Sequence, residues 1–379
     1  MPETTFTRNA WSGVLNLTRE TYLSQKVEEI KRSRLLFAML QKKGRITHGR
    51  GGTDFTWLFD YKLPQPLEYG DAQTPNFTRQ EYTKQATIGA RSYYVTDQVT
   101  WHNEQQNKGQ DALGSLVGQK LNKLGNAMEQ YLNGQAYIDG YASGNTRQLI
   151  GLESMMGTGT TVATDILAKP DDDYGTVATD VATFGGNWST DRTVSPNANI
   201  ATDWPFGSGL NGQLDVQYDV WSPKIWNWSS TGWGTSSTTW KDNCLILIRT
   251  AVANQRRLLG NDGQPDLFLT EDQMCIDGQE ALEPRFRIQS PHKASEELGF
   301  GGMPQYEGMG IDVDYNCPAN SGYMLPVKKM ELFTQTKKLF AIDGPTWSAR
   351  DDANLFIARF LGNFRFDSPR FFAKAENVA

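Results

Sequence analysis

The sequence predicts an α+β fold, in which helices and strands are mixed in an irregular order. An amphipathic helical pattern covers residues 111–134, and a strand pattern with alternating aromatic residues covers residues 55–61. The C-terminal segment 354–375 alternates again around phenylalanines. Because no strand–helix–strand rhythm connects these segments, the pattern favours mixed sheets over one doubly wound parallel sheet.

Composition is that of a folded protein with a sizeable core. The length of 379 residues suggests two or three domains, with 38% hydrophobic and 21% charged residues. Mean hydropathy is -0.54 and no long apolar run occurs, so no membrane span is expected. The N-terminal segment lacks the pattern of a signal peptide, and the three widely spaced cysteines predict reduced, mostly buried thiols.

The N-terminal segment is basic and helical. Residues 20–41 have the apolar spacing of a helix, and Gly44 follows as a stop signal. Residues 26–50 carry a local charge of +6, whereas the whole chain carries -6. Two interpretations stay open. The charges belong to a solvated helix face, or to an arm that touches an acidic partner protein or packaged nucleic acid.

A long hairpin is predicted next. The strand that ends at Tyr61 is followed by a polar, proline-containing segment, and a second strand pattern begins near Ala86. The simplest structure is a two-stranded excursion that leaves the body of the protein and returns. Because an isolated hairpin is only marginally stable, it needs a surface to lie on, and that surface can belong to another subunit.

The strongest helical pattern covers residues 111–134, with Asp111 as a candidate N-cap and Gly134 as a stop signal. Further elements follow it: a helix near 239–259, a strand at 265–270, a helix at 271–282, and strands at 321–326 and 330–340.

A loop-rich region with many tryptophans separates these elements. Residues 151–239 are rich in small polar residues and contain Trp188, Trp204, Trp221, Trp226, Trp228 and Trp233. Exposed indoles could stack on sugar rings and form a glycan-binding surface. The favoured interpretation is that the tryptophans hold together a region with little regular structure.

The glycine-rich stretch 298–318 resembles a phosphate-binding loop only superficially. A dinucleotide-binding loop needs Gly-x-Gly-x-x-Gly before a helix, but the third glycine is replaced by Pro304 or Val313 in the two possible frames. The alternating "IDVDY" that follows predicts a strand. We therefore expect turns that lead into a strand near residues 311–315.

We predict no catalytic, cofactor or metal site. The three histidines are isolated in the sequence: His48, His102 and His292. The acidic run 171–173 lacks the ligand order of an EF-hand loop. Asp312 and Asp314 share one strand face, where paired carboxylates could do acid–base work, but an outward polar face is favoured.

Several segments, taken in order, carry a family resemblance. They are "TDFTWLFDYKLPQPLEYGD", "TKQATIGARSYYVTDQV", the helix 111–134, "DDDYGTVATDVATFGGNW", "PDLFLTEDQM", "LGFGGMPQYEGMGIDVDYNCP", "SGYMLPVKKMEL" and "LGNFRFDSPRFFAKAENV". The set resembles the major capsid proteins of tailed bacteriophages with the Hong Kong 97-like fold. The resemblance covers almost the whole chain and rests on the order of the segments.

The resemblance implies a domain organisation. It comprises an N-terminal arm (1–45), an extended loop (46–86), a peripheral domain (87–150 and 346–379) with a spine helix at 111–134, and an axial domain (151–345) with a loop-rich insertion at about 189–238.

It also implies a function. The chain would be a non-enzymatic major capsid protein, made in the host bacterial cytoplasm, that self-assembles into pentamers and hexamers of an icosahedral virion shell around double-stranded DNA. Its partners would be other copies, a separate scaffolding protein, a portal protein, the packaged DNA and optionally a decoration protein, with no membrane. The expected intersubunit contacts are Trp11, Arg32, Arg34, Lys42, Lys43, Lys62, Pro64, Pro66, Tyr69, Phe77, Arg79 and Tyr82.

Two alternatives remain at this stage. The same fold would serve an encapsulin-type compartment, which packages protein cargo and needs no DNA. A glycan-binding module is the alternative from a different class, and it would predict a small soluble oligomer with sugar-responsive tryptophan fluorescence.

Overall fold

A computed structural model describes residues 35–60, 77, 83–106, 116–157, 166–168, 170, 173–179, 221–282 and 305–378. The described strands form one five-stranded sheet, one seven-stranded sheet and two two-stranded hairpins, with helices packed against the large sheets. The α+β class predicted from the sequence is confirmed.

The described helices are α1 Leu35–Lys42, α2 Trp101–Gln106, α3 Leu116–Gln135, α4 Glu153–Met156, α5 Trp240–Leu259 and α6 Asp272–Leu282. The strands are β1 Ile46–Thr47, β2 Asp54–Asp60, β3 Thr83–Gly89, β4 Arg91–Thr100, β5 Leu167–Ala168, β6 Asp173–Tyr174, β7 Val177–Ala178, β8 Lys224–Asn227, β9 Leu267–Thr270, β10 Gln305–Tyr306, β11 Met309–Val313, β12 Ser321–Leu325, β13 Met330–Thr334, β14 Ala341–Ser348, β15 Ala353–Phe366 and β16 Ala373–Glu376.

The five-stranded sheet is built around β15. Strand β4 pairs antiparallel with one edge of β15, while β14 and β13 lie end to end along its other edge. Strand β1 extends the sheet by pairing parallel with β13. Phe356, Phe360 and Phe364 are buried at every fourth residue of β15 and so share one face, and α3 packs against β4 and β15. The period-two pattern of the sequence therefore produces the buried face that carries the long helix.

The seven-stranded sheet has the order β10-β11-β9-β12-β16-β8-β5. Phe268 and Met324 face the cluster that contains α5 and α6, whereas Leu269 and Tyr323 face the larger core that contains the end of α3. Successive side chains of a strand point to opposite faces of its sheet. This sheet therefore lies between two apolar clusters, and each cluster covers one of its faces.

The secondary structure matches most of the predicted elements. The strand at 55–61, the helices near 239–259 and 271–282 and the strand at 265–270 are present as β2, α5, α6 and β9. The predicted strand at 330–340 is too long, because β13 ends at Thr334. The helix predicted at 111–134 is described from Leu116 to Gln135, and residues 107–115 lie outside the described part.

The glycine-rich stretch leads into a strand, as predicted. Strand β11 forms between β10 and β9 after a turn in which Glu307 and Gly308 have φ of 52° and 82°. Gly308 fits this left-handed position because it has no Cβ. A strand rather than a helix follows the turn, so no helix N-terminus is available there for a phosphate.

The tryptophans of the loop-rich region that the structure describes are interior residues. Trp221, Trp226 and Trp233 are fully buried, and Trp228 is 8% exposed. Their indoles therefore cannot stack on a bound sugar, which favours the interpretation that they hold the region together. Trp188 and Trp204 lie outside the described residues.

Strand pairing in both large sheets crosses the expected boundary between residues 345 and 346. The domain boundaries themselves stay a prediction. Strands β13 and β14 start within the expected axial domain, but they pair with β15 in the five-stranded sheet. Strand β16 lies in the expected peripheral segment, yet it pairs with β12 and β8 in the seven-stranded sheet. The C-terminal segment thus contributes one strand to each large sheet.

Candidate assembly surfaces

Strands β2 and β3, the base of the predicted hairpin, have one covered and one exposed face. The covered face is buried through Phe55, Trp57 and Ile88. On the other face Leu58 is 70% exposed, and residues 83–85 at the start of β3 are exposed as well. The strands are paired out to Asp60 and Thr83, which is as far as the structure describes them.

Side-chain contacts fix the base of the hairpin. The indole Nε1 of Trp57 donates a hydrogen bond to the carbonyl oxygen of Asp367 at 3.1 Å. The ring of Phe59 stacks on Trp221, with centroids 3.9 Å apart. Near Gly175, whose φ is 62°, the turn between β6 and β7 approaches so closely that an added Cβ would lie 3.0 Å from the Cβ of Ala86. These contacts hold the base of the hairpin firmly against the body of the protein.

The exposed apolar residues of this excursion are candidates for contact with another chain. Phe77 is 93% exposed, and Leu58 is the exposed neighbour of the buried Trp57. Large apolar side chains that are exposed to water are typical of protein–protein contact sites.

The five-stranded sheet offers a second candidate surface at β14. Among the described strands, β14 pairs with β15 alone, so its other edge carries unpaired backbone groups. Ile342 and Trp347 on this strand are 45% and 49% exposed. A register shift between Asp343 and Thr346 interrupts the ladder at Pro345. The interruption disfavours pairing of a further strand along the whole edge of β14. The exposed side chains of Ile342 and Trp347 can still form a specific contact with another chain.

One carboxylate joins three parts of the fold. Asp314, which is 1% exposed, follows β11 and accepts hydrogen bonds from the backbone N of Leu36 in α1 (3.4 Å) and from Nδ2 of Asn133 in α3 (2.9 Å). It also accepts one from the backbone N of Asn316 at 3.1 Å. Burial raises the pKa of Asp314. The prediction that Asp312 and Asp314 form an outward polar face is wrong for Asp314, because α1 and α3 cover it.

A buried ion-paired cluster joins α4 to the seven-stranded sheet. Lys374 on β16 is 3% exposed, and its Nζ lies 2.9 Å from Oε2 of Glu153 and 3.0 Å from Oε2 of Glu376. The hydroxyl of Tyr323 donates a hydrogen bond to Oε1 of Glu153. These contacts satisfy charges that would be costly to bury alone. These contacts fix how α4 packs against the seven-stranded sheet, so the cluster has a structural role.

The sequence-predicted contact residues fall mostly outside the described part of the chain. Lys42 is exposed at the end of α1, Lys43 forms an ion pair with Asp266, and Phe77 is exposed. The remaining candidates lie outside the described residues: Trp11, Arg32, Arg34, Lys62, Pro64, Pro66, Tyr69, Arg79 and Tyr82.

Sequence reasoning missed some exposed apolar residues. Tyr94, Ile342 and Trp347 were not among the predicted contacts, although they are strongly exposed. The alternation of β4 and β14 does show which residues share a face. It does not show which face remains uncovered, because that depends on the packing of distant elements.

No chemistry-bearing cluster stands out in the described residues. In that part of the chain, no group of three His, Cys, Asp or Glu side chains could hold a metal ion. A pocket of about 530 Å³ beside Trp228 and Trp240 is lined without histidine or cysteine. None of the described helices is long and apolar enough to cross a membrane.

Solved structures share this fold along nearly the whole chain. The capsid of cyanophage A-1(L) aligns with a TM-score of 0.56 and 13% identity, over 95% of this chain and 96% of that chain. The capsid chain of an empty GTA particle aligns with a TM-score of 0.55 and 11% identity, over 98% and 99% of the two chains. That of a native GTA particle aligns with a TM-score of 0.53 and 11% identity, over 95% of each.

No family model and no curated protein matches the sequence. The structural matches confirm the Hong Kong 97-like fold that the order of segments predicts. At 11–13% identity they show the fold alone.

Proposed function

We propose that this chain, which has the fold of tailed-phage capsid proteins, is a major capsid protein. The observation that carries the proposal is the alignment with capsid chains over 95–98% of its length. The matched chains are shell subunits, and the match covers 95–99% of their own length. We therefore propose a structural role and no enzymatic activity.

The surfaces described above support self-assembly. The packed base of the hairpin leaves Leu58 exposed, and β14 presents exposed apolar residues at a sheet edge. Such elements bury little within one chain and become stable when a neighbour covers them. The expected N-terminal arm and the extended loop at about 62–86 would add further contacts.

The finer function follows from the family resemblance. The copies form pentamers and hexamers of an icosahedral virion shell, which encloses double-stranded DNA. A scaffolding protein, a portal protein and optionally a decoration protein take part in its assembly. Closed rings of one repeated contact require a heterologous interface, in which two different surfaces of the subunit meet. The exposed face of β2 with Leu58 and the edge strand β14 are candidates for two such different surfaces.

Electron microscopy of the purified full-length protein tests the proposal. We expect capsomers or closed shells, and nuclease-resistant DNA in particles from productive assembly. Small soluble oligomers that respond to sugars would overturn the proposal. Shells that enclose protein cargo and no DNA would assign the chain to a nanocompartment instead.

A deletion tests the role of the hairpin. Removing residues 64–82 should leave a folded subunit that fails to assemble, because the base of the hairpin is held by β2 and β3. Normal shells from this variant would contradict the assignment of the hairpin as an assembly element.

A further inference from the structure

Three basic chain segments lie side by side in the fold, and we call the region that they form the basic surface. Its segments are 42–50, 328–338 and 365–370. Its members are Lys42, Lys43, Arg45, Arg50, Lys328, Lys329, Lys337, Lys338, Arg365 and Arg370. The sequence alone indicated only the first of these segments as basic. The fold brings the other two beside it.

Backbone contacts hold the three segments together. Strand β1 pairs with β13, and Nε of Arg45 donates a hydrogen bond to the carbonyl oxygen of Met330 at 3.0 Å. The backbone N of Gly49 donates to the carbonyl oxygen of Thr336 at 3.1 Å, which brings residues 49–50 beside the loop of Lys337 and Lys338.

Ring contacts extend the same surface to the third segment. Nζ of Lys329 lies 4.8 Å from the ring centroid of Phe371, and Cζ of Arg370 lies 5.1 Å from the same ring. Cζ of Arg50 lies 4.7 Å from the ring centroid of Phe333, and Arg365 lies 5.7 Å from it. These cations are therefore positioned over fixed aromatic rings.

The basic surface carries a large excess of positive charge. The three segments contain two carboxylates, Glu331 and Asp367, and both pair with Arg365. A third carboxylate, Asp266, pairs with Lys43. Within the described residues, the three segments hold ten cations against two carboxylates of their own, with Asp266 beside them, although the whole chain has a net charge of -6. Like charges gathered in this way repel one another, so the arrangement favours an anionic partner.

The apolar content of this surface distinguishes between two classes of partner. None of the large hydrophobic residues that are strongly exposed in the described part of the chain falls within its three segments. A protein–protein interface usually has an apolar centre. A polyanion with regularly spaced phosphates needs only cations, since release of counterions supplies most of its affinity.

We propose that the basic surface binds the phosphate backbone of double-stranded nucleic acid. Lys328, Lys337 and Lys338 are exposed and are the members best placed to reach phosphates, while the ion-paired Arg365 and Lys43 order the segments beneath. Binding of this kind is independent of base sequence and weakens with salt. The biological context rests on the proposed function, but the binding chemistry does not.

The test uses the full-length protein at a concentration below that of assembly and a fluorescent duplex of about 30 base pairs of mixed sequence. The variant K328Q/K337Q/K338Q removes three exposed cations of the basic surface. The matched control K123Q/R147Q/R350Q removes three exposed cations elsewhere. Fluorescence anisotropy gives Kd between 50 and 200 mM salt, and circular dichroism checks the fold of both variants.

We expect the basic-surface variant to weaken binding about tenfold or more at 50 mM salt and to lower the salt slope by about 2–3. The control should change Kd less than about twofold. Equal loss in both variants, or no binding by the unmodified protein, would overturn the proposal. Binding of polyglutamate as tight as that of the duplex, and equally lost in the basic-surface variant, would assign the surface to an acidic protein.

Electron microscopy of the same preparations separates this proposal from the proposed function. Shells formed by a protein whose DNA affinity is unchanged in the basic-surface variant would overturn the inference alone. Loss of DNA affinity in a protein that never forms shells would overturn the capsid assignment alone.

Discussion

Lys374 on the C-terminal strand and Glu153 in α4 form an ion pair, with Nζ and Oε2 2.9 Å apart, inside the protein. Burial disfavours the charge of Lys374, but the carboxylates of Glu153 and Glu376 outweigh this effect and raise its pKa. The pair connects β16 of the seven-stranded sheet to α4, which follows the long helix α3 in the chain. Loss of the pair should therefore weaken the packing of α4 against this sheet.

Removal of one partner of this pair should be costly. K374M should lower the free energy of unfolding by about 3 kcal/mol, because Glu153 and Glu376 are left buried without a cation. The double variant K374M/E153Q should recover part of the loss. Urea unfolding of unassembled subunits measures both. A K374M variant as stable as the unmodified protein would show that the cluster is not a stabilising contact.

Gly362 should not tolerate a side chain. A Cβ at this position of β15 would overlap the carbonyl oxygen of Phe333 on the paired strand β13. G362A should therefore lower the free energy of unfolding by about 3 kcal/mol through overpacking, or prevent the five-stranded sheet from forming. Thermal unfolding and the yield of soluble subunit measure the effect.

Gly125 in α3 provides the matched control. A Cβ there meets no atom within 4 Å, so G125A should stabilise the isolated subunit by up to about 1 kcal/mol through helix propensity. A stable G125A subunit that assembles poorly would indicate that this face of α3 touches a neighbouring copy.

Leu58 should matter for assembly and little for folding. Its side chain is 70% exposed, whereas that of the adjacent Trp57 is 9% exposed. L58S should change stability by less than about 0.5 kcal/mol but reduce the yield of shells. W57A should instead cost about 3–5 kcal/mol. Size-exclusion chromatography and unfolding curves distinguish the two effects. Normal assembly of L58S would remove Leu58 from the interface.

Asp242 should stabilise the start of α5 in a pH-dependent manner. Its Oδ2 accepts hydrogen bonds from the hydroxyls of Ser237 (2.6 Å) and Thr239 (2.8 Å), and these lower its pKa. A carboxyl group whose pKa is depressed on folding contributes stability above its unfolded value of about 3.9, and this contribution disappears as the pH falls through the folded value. D242N should therefore be less stable than the unmodified protein at pH 7, and the difference should shrink as the pH falls below about 3.9 and through the folded pKa of Asp242. A difference that is constant with pH would exclude the carboxylate as its source.

The cysteines should be chemically inert in the folded subunit. Burial raises the pKa of Cys244 to about 12 and that of Cys275 to about 11, and it raises the pKa of Cys317 as well. Because the thiolate is the reactive form, a thiol reagent at pH 8 should label none of the three within minutes. All three should react in denaturant. Rapid native labelling of one site would indicate local opening around it.

Local pattern was enough to predict much of the fold. The alternating aromatic residues around Phe55 and Trp57 identified the hairpin strand, and the apolar stripe of α3 identified the long helix. Both patterns arise whenever one face of a strand or helix is buried, whichever element covers that face. The order of elements then indicated the family fold without any single specific motif.

What depends on distant packing could not be predicted. The prediction that Asp314 is exposed was wrong because α1 and α3 cover its side chain, and its hydrogen-bond donors in both helices are more than 180 residues away from it in the sequence. The end of β13 at Thr334 was missed because "QTKKLF" contains no glycine or proline to mark a turn, and only the pairing with β15 shows where the ladder stops. The candidate surfaces were predicted in part, since Phe77 is exposed but Trp347 was not considered.

The position of β16 has a consequence for synthesis on the ribosome. This strand, at residues 373–376, lies between β12 and β8 and joins two parts of the seven-stranded sheet. Strand β8 therefore has no partner on that side until residues 373–376 emerge from the ribosome, roughly 7–30 s after residue 227 at ~5–20 residues per second. During this interval β8 and β12 have open edges, and open strand edges favour aggregation until β16 pairs with both.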